Sequence, residues 1–343
     1  MNRMKEVVAI CMGILVAAAI ANSAPGGRSE TSARVEWKKK YVRPANIPYP
    51  AENKFSKEKE LLGRTLFFDP RLSGSRSIAC SNCHNPGFAW GDGLAKAVGV
   101  GTKLLDRRSP TILNSAWTEL LFWDGRADSL EQQALGPIAA PGEMNQSLEA
   151  MVATVKAIAE YQAMFANAFP KEPISADTVA KAIATFERTI VSGQAPFDLW
   201  IKGSENAISE NAKAGFDLFN SKAECSKCHT EWLFTDNGFH DIGIEGKDPG
   251  RWQHLHLSAM QSAFKTPTLR NVDRRAPYMH DGSEASLEQV IEFYDLGGKA
   301  RRPSLAPEMK PLHLTAQEKL QLVEFIKTLT SVDAPVTIPT MPK

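Results

Sequence analysis

Two short cysteine motifs constrain this chain more than any other feature. The first, "CSNCH", spans residues 80–84, and the second, "CSKCH", spans residues 225–229. Of the five cysteines in the 343 residues, only Cys11 lies outside these motifs. A Cys-x-x-Cys pair can bind zinc, work as a redox dithiol or, with a histidine directly behind it, attach haem.

The histidine that follows each pair favours haem. A shared zinc site would need both pairs to converge, although 141 residues separate Cys83 from Cys225 and zinc ribbons use much shorter spacers. A thioredoxin-like dithiol expects a βαβ context and needs no histidine behind it. Haem attachment accounts for every residue, because two thiols add to the two vinyl groups of one porphyrin and the histidine ligates the iron. We therefore predict two covalently bound c-type haems, held by Cys80, Cys83, His84, Cys225, Cys228 and His229.

The N-terminus predicts export. Arg3 and Lys5 precede an apolar run over residues 7–20, which is too short to span a bilayer as a helix. Ala19-Ile20-Ala21 matches a cleavage signal and completes the pattern of a signal peptide, so we expect a periplasmic protein without a membrane span in its mature form. Cys11 would leave with this segment. The net charge of +1 gives no basic footprint for nucleic acid.

The rest of the chain predicts helices and an internal duplication. Ser56, Ser175 and Thr315 are placed to cap helices, and no long alternating strand pattern occurs. Upstream of each cysteine motif the pattern Gly-x-x-Leu-Phe recurs, at Gly63 and at Gly215, where a helix or a porphyrin could approach closely. The predicted fold is mainly α, with two cytochrome-c-like haem domains and long loops. Its segments are a signal peptide (1–21), an extended N-terminal arm (22–53), a peroxidatic haem domain (54–202), a second haem domain (203–332) and a tail (333–343).

From about residue 55 to residue 332 the chain resembles the bacterial di-haem cytochrome c peroxidase and MauG family. The resemblance rests, in order, on "CSNCH", "RRSPTILNSAW", "FWDGRADSLEQQALGPI", "CSKCH", "TPTLRNV" and "APYMHDGS". It implies that the N-terminal haem reacts with hydrogen peroxide while the C-terminal haem stores or relays electrons. It also places Trp123 between the haems, Gln133 and Pro137 in the distal pocket of the first haem, and Glu143 as its acid–base residue.

Each of these roles has a plainer alternative. Taken alone, Glu143 is a loop residue and Trp123 a core aromatic. The chemistry needs an acid, because splitting an O–O bond moves a proton from one oxygen to the other. The motif spacing favours Glu143 for that task. A relay needs only a polarisable ring between the haems, so Trp123 can serve the core and the relay together.

The chain departs from the common peroxidases of this family at both irons. There, a histidine about sixteen residues beyond the first motif caps the first iron until reduction; here that position is Val100. We therefore expect a first iron that is open to peroxide. At the second iron the usual methionine position falls on Tyr294, as in MauG-like proteins, and an anionic phenolate stabilises higher oxidation states. The alternative is that Tyr294 is a core residue and that Met260 or Met279 ligates.

The resemblance leads to three candidate functions. The first is a MauG-type enzyme that uses peroxide to oxidise tryptophan residues of a periplasmic partner protein, as in maturation of tryptophan tryptophylquinone in methylamine dehydrogenase. The second is a peroxidase supplied with electrons by a small cytochrome or cupredoxin. The third is a non-catalytic dihaem electron carrier, which needs neither an open iron nor Glu143.

The chain departs from the family at two further positions, Arg108 and Ala223. The inter-haem calcium of the family uses an asparagine where this chain has Arg108, together with backbone carbonyls near "APY". A surface tryptophan that passes charge to the partner of MauG corresponds to Ala223, and Trp232 is a conceivable substitute. We expect His280 near the second haem. The remaining histidines are expected in loops or at the surface: His240, His254, His256 and His313.

Overall fold

The computed structural model describes residues 32–343, so the predicted signal peptide and Cys11 lie outside the described residues. Within this part the protein is mainly helical, as predicted. The helices are α1 (Ser32–Lys40), α2 (Lys57–Phe67), α3 (Cys80–Cys83), α4 (Leu130–Ala139), α5 (Leu148–Lys156), α6 (Ala159–Ala168), α7 (Ala176–Arg188), α8 (Pro196–Ile201), α9 (Glu210–Asn220), α10 (Trp252–Leu255), α11 (Leu287–Asp295) and α12 (Ala316–Lys327). Strands β1 (Phe239–His240) and β2 (Phe264–Lys265) form one short antiparallel pair.

The predicted helix caps are confirmed. The Ser56 side chain accepts a hydrogen bond from the Lys59 N–H at the start of α2, and Ser175 caps α7 in the same way. At α12, Thr315 and Glu318 form the reciprocal capping box that the sequence predicts. Each cap satisfies N–H groups that the first helical turn leaves without a partner.

The N-terminal arm differs from the prediction of an extended segment. Its described part begins with α1, where Arg34 pairs with Asp217 at 2.5 Å and the Trp37 ring packs edge-on against Phe216. Tyr41, directly after α1, is only 1% exposed. These contacts are tertiary, so the lysine-rich sequence of α1 gave no local sign of the helix.

The hydrophobic residues form two large cores, one for each haem motif. The first half of the protein, residues 57–190, is built around α2, α4, α5, α6 and α7. The second half, residues 196–329, is built around α8, α9, α11 and α12, and its core also includes Tyr41. The second core is rich in aromatic rings packed edge to face, such as Phe216 on Phe325 with centroids 5.5 Å apart.

The two repeated glycines mark the same helix crossing in each half. A Cβ on Gly63 in α2 would lie 1.8 Å from the Ala182 carbonyl oxygen in α7. A Cβ on Gly215 in α9 would lie 2.0 Å from the Gln321 carbonyl oxygen in α12. The glycines therefore admit a neighbouring helix rather than a porphyrin, and both crossings hold the helix that leads into a haem motif.

A second repeat, offset by 157 residues, links the loops that follow the haem motifs. Asn114 and Asn271 both adopt positive φ, and each bonds the chain just after the last long helix of its half, at Ser192 and at Ser331. The turns that lead into α4 and α11 match as well, with the same N-cap serine and the same glutamine three residues on. The sequence repeat is thus a structural duplication.

The haem motifs and the duplicated loops lie on a framework of short helices. Among residues 32–343, no helix is long and apolar enough to cross a membrane.

Candidate functional site

Each cysteine motif forms one tight turn that ends at its histidine. The His84 N–H donates to the Cys80 carbonyl at 2.9 Å, and the His229 N–H donates to the Cys225 carbonyl at 2.8 Å. The four cysteines of the described part are free thiols, partly buried in both halves. Two free thiols and an imidazole on a single turn fit the attachment of a porphyrin and the ligation of its iron.

The ring orientation of both histidines suits an iron ligand. His84 Nδ1 lies 3.3 Å from the Trp90 carbonyl oxygen, and His229 Nδ1 lies 2.9 Å from the Phe234 carbonyl oxygen. Because a carbonyl only accepts, each Nδ1 carries the proton and each Nε2 keeps a free lone pair. Burial lowers the pKa of both imidazoles, which keeps them neutral and ready to ligate.

Tyr294 lies on α11, close to the second cysteine pair. Burial raises the pKa of its phenol, and the neighbouring Cys228 and Cys225 raise it further. The phenol therefore ionises only beside a strong positive charge, such as a metal ion. Met279, one of the two alternative ligands, instead lines a cavity whose wall also includes His84 of the first motif.

One cavity of about 870 Å³ opens between the two halves and reaches the first haem motif. His84 and Cys83 lie on its wall, as do residues of the second half such as Thr266 and Tyr278. The four residues predicted for catalysis share this wall: Trp123, Gln133, Pro137 and Glu143. The structure thus brings together residues that are up to 59 positions from His84 in the sequence.

Glu143 has the environment of an acid–base group. Burial raises the pKa of its carboxyl, and the nearby Arg126 partly offsets this effect. Its backbone carbonyl accepts a hydrogen bond of 2.9 Å from the Val100 N–H. A Cβ on Gly99 would lie 1.8 Å from the Gly142 carbonyl oxygen. The loop in which the common peroxidases of the family have their blocking histidine therefore packs against the turn that contains Glu143. Position 100 of this loop is a valine, which cannot ligate iron.

Trp123 is fixed between the two halves from both sides. Its indole N–H donates to the Arg108 carbonyl at 2.9 Å, and its own carbonyl accepts from the Lys265 N–H at 2.8 Å. Its ring lies 6.4 Å from the ring of His280, which stacks on Phe264 with centroids 3.6 Å apart. His280 therefore lies at the junction of the halves, beside Trp123, on the wall of the cavity.

Trp232 is an unfavourable site for a positive charge. Its ring is 9% exposed and packs edge-on against Trp117 at 4.9 Å. The guanidinium groups of Arg43 and Arg270 lie 5.5 Å and 5.8 Å from its centroid. Two cations beside the ring oppose its oxidation, and little of it is accessible to a partner. Ala223, at the position of the surface tryptophan that passes charge to the partner of MauG, is buried.

Glu187 is a buried carboxyl near the first haem motif that the sequence did not single out. It lies on α7, is 3% exposed, and its Oε2 has no hydrogen-bond partner. Burial raises the pKa of Glu187 to about 8, and it lies close enough to Cys80 to raise the pKa of that thiol too. In the amphipathic pattern of α7 it resembles any polar position, so no local signal marks it.

His240 was expected in a loop or at the surface, but it belongs to the surroundings of the second motif. Its Nε2 lies 2.8 Å from Asp236 Oδ2, and it also contacts the thiol of Cys228. These interactions raise the pKa of His240 to about 10, so the pair is an imidazolium with a carboxylate at physiological pH. His254 is likewise paired, with Asp124 at 3.2 Å.

Together, these features define a class of protein: two duplicated helical halves, each with a thiol pair and an imidazole on one turn, beside a cavity lined by the partly buried carboxyl of Glu143. The family model described as "Di-haem cytochrome c peroxidase" matches residues 57–206. "Methylamine utilization protein MauG" of Methylorubrum extorquens is 50% identical over 309 residues, which cover 89% of this chain and 87% of that protein. "Cytochrome-c peroxidase IdrP1" of Pseudomonas sp. is 37% identical, over 83% of this chain and 84% of that protein.

Among solved structures, a MauG-like protein associated with microbial copper homeostasis is similar, with a TM-score of 0.77 and 35% identity. The match covers 85% of this chain and 94% of that protein. The chain belongs to the di-haem cytochrome c peroxidase and MauG family. It is a di-haem oxidoreductase of the MauG type, which uses peroxide.

Proposed function

We propose that the protein uses hydrogen peroxide to oxidise tryptophan residues of a partner protein in the periplasm. The observation that carries this proposal is the pair of matched positions Pro137 and Tyr294. Both lie eight residues after the N-cap serine of equivalent helices, α4 and α11. The first half thus offers its iron no ligand at this position, whereas the second half offers a phenol.

The remaining site residues take roles that their surroundings support. The thiols of Cys80 and Cys83 would attach one haem and those of Cys225 and Cys228 the other, and His84 and His229 would ligate the two irons. The haems supply the oxidising equivalents once peroxide has reacted. Glu143, with its raised pKa, accepts a proton from peroxide and returns it to the leaving oxygen, and the Gln133 amide orients the peroxide beside it.

Charge passes between the halves at Trp123. Its two hydrogen bonds, to Arg108 and from Lys265, hold the indole at the junction. Tyr294 would serve as a phenolate ligand of the second iron and favour its higher oxidation states, because a phenolate donates charge to a metal more strongly than a thioether does. The oxidant would in this way be kept until the partner protein binds.

A mixing experiment tests the proposal. The fully ferric protein is mixed with one equivalent of hydrogen peroxide and no electron donor, and the haem absorption is followed by stopped flow. We expect both haems to change together and the oxidised state to persist for many seconds. Adding immature methylamine dehydrogenase should then consume this state and generate quinone absorbance. A protein that reacts only after half-reduction would contradict the proposal.

Glu143→Gln tests the proton transfer. This variant keeps the shape of the side chain but cannot accept a proton, so the reaction with peroxide should slow by about 10²–10⁴-fold. Glu149→Gln, at an exposed position of α5, is the matched control and should react as the native protein does. Equal rates for both variants would remove Glu143 from the mechanism.

The alternative is a peroxidase that takes its electrons from a small cytochrome or cupredoxin. The peroxidase named among the relatives favours it. The peroxidase function predicts that reduced cytochrome c is oxidised much faster than quinone is formed. The same mixing experiment with reduced cytochrome c and immature methylamine dehydrogenase therefore separates the two functions.

A further inference from the structure

The junction between the two halves contains two matched cations, of which Arg108 is buried and Lys265 is partly buried. Arg108 of the first half and Lys265 of the second half are 157 residues apart, the same offset that relates the duplicated loops. The Arg108 N–H donates to the His280 carbonyl at 2.9 Å, and the Lys265 N–H donates to the Trp123 carbonyl at 2.8 Å. His280 and Trp123 are related by the same offset, so the junction repeats one arrangement twice.

The side chains of both cations reach across the junction to carbonyl groups of the opposite half. The guanidinium of Arg108 donates to the Arg275 carbonyl at 2.8 Å, and Lys265 Nζ donates to the Leu120 carbonyl at 2.6 Å. Neither cation forms an ion pair with a carboxylate in the part of the chain that the structure describes. The Asp92 carboxylate, which acts on Arg108 from a distance, accepts from the Ser109 hydroxyl instead.

A third cation, Arg275, lies beside Arg108. It is 8% exposed, and its guanidinium donates to the carbonyls of Thr268 and Arg270 at 2.7 Å and 3.0 Å. Arg108 itself is 7% exposed, with its Nε unpaired. Two unneutralised guanidinium groups at one buried point repel a further cation strongly, because little solvent screens them.

These residues occupy the place where the family resemblance implies calcium. Calcium takes six to eight oxygen ligands, commonly carboxylate and carbonyl groups. Here the position of the family's amide ligand is Arg108, and its guanidinium already holds the Arg275 carbonyl, next to the "APY" segment. The groups at this point are cationic side chains and carbonyl oxygens that already accept hydrogen bonds from them. They do not fit a calcium ion.

We propose that the side chains of Arg108 and Lys265 replace calcium as the positive charge at the inter-haem junction, and that this protein binds no calcium there. The backbone of both residues is bonded to Trp123, since the Arg108 carbonyl accepts from its indole N–H and the Lys265 N–H donates to its carbonyl. The positive charge is part of the chain, so neither a chelator nor a low calcium concentration removes it. The junction therefore keeps its geometry and charge under conditions that would empty a metal site.

Calcium content and the haem spectra of the purified holoprotein test this proposal. One sample is treated with excess calcium chloride and one with a chelator; both are desalted and analysed by mass spectrometry for bound metal. We expect far less than one calcium per protein in both, with identical absorption spectra and haem reduction potentials. One retained calcium, or a spectral change that calcium reverses, would overturn the proposal.

Arg108→Asn supplies the converse test. The variant removes the guanidinium, frees the Arg275 carbonyl and offers an amide oxygen, so it should gain one bound calcium. Arg274→Asn, an exposed arginine one residue before Arg275, is the matched control and should bind none. If Arg108→Asn folds but gains no calcium, the guanidinium is not what excludes the ion and the proposal fails. If the variant does not fold, the calcium titration of the native protein still decides.

Discussion

The two halves of the protein share a framework and differ at the positions that face their haem sites. Gly63 and Gly215 make equivalent helix crossings, and Asn114 and Asn271 make equivalent turns. On this framework Pro137 in one half corresponds to Tyr294 in the other. Under the proposed function, the duplicated fold keeps its packing while the first copy leaves its iron open to a small oxidant and the second supplies a ligand.

The difference extends to the helix beneath each cysteine motif. Ser192 and Ser331 play the same part in the two halves, so the residues of α7 and α12 correspond with an offset of 139. This pairs Glu187 with Ile326, which is 5% exposed. The first half therefore has a buried ionisable group where the second half has an aliphatic one, and only the first half should depend on pH at this point.

We expect the largest effect, a loss of stability, from substitutions that disrupt the framework shared by the two halves. Gly63→Ala and Gly215→Ala each force a Cβ to within 2.0 Å or less of a carbonyl oxygen, so the crossing helices must separate. Each variant should lose about 3 kcal/mol of stability or more, or fail to fold. Urea unfolding of the holoprotein measures this. Gly91→Ala, where the nearest atom would be 3.6 Å away, is the control. Tolerance at either crossing would show that the duplication does not depend on the glycine.

An exchange at the distal positions should have the next largest effect. Pro137→Tyr places a phenol at the position that corresponds to Tyr294; if it ligates the first iron, the rate of reaction with peroxide should fall at least about tenfold. Tyr294→Phe removes the phenolate, so the oxidised state should decay about tenfold faster, which corresponds to about 1.4 kcal/mol in barrier. Tyr41→Phe, which removes a buried phenol bonded to Asn220 in the same half, controls for the loss of a hydroxyl. If Tyr294→Phe and Tyr41→Phe decay alike, Tyr294 is not a ligand.

Glu187→Gln should have the smallest effect, and it sharpens the comparison between the halves. The pKa of Glu187 rises from 4.5 to about 8 on folding, so between these values the folded state binds more protons than the unfolded state. Stability should therefore fall as pH rises from about 5 to 8. Arg188 opposes this rise in pKa and Glu131 adds to it.

In the Glu187→Gln variant this pH-dependent loss should disappear, so its stability relative to the native protein should rise by about 2 kcal/mol between pH 6 and pH 8. Urea unfolding at pH 6 and at pH 8 measures the slope, and Glu149→Gln, at an exposed position, serves as the control. An unchanged slope in Glu187→Gln would assign the pH dependence to another group.

Much of this site could be predicted from the sequence, because its parts are local. A thiol pair with a histidine directly behind it lies on one turn in any fold, and the capping residues at Ser56 and Thr315 act within four residues of themselves. The repeated glycine was also visible in the sequence. What it contacts, a helix rather than a porphyrin, was not, because that contact joins segments more than 100 residues apart.

The sequence by itself determined the haem motifs, the mainly helical class, the missing histidine at position 100 and the phenol at Tyr294. Only the tertiary structure decided the surroundings of the charged groups: the buried, unpaired Glu187, the partly exposed His240–Asp236 pair beside Cys228, and the buried Arg108 at the junction of the halves. The reason is physical. Backbone turns and caps depend on neighbours in the chain, whereas desolvation and charge pairing depend on which distant segments exclude water from a group.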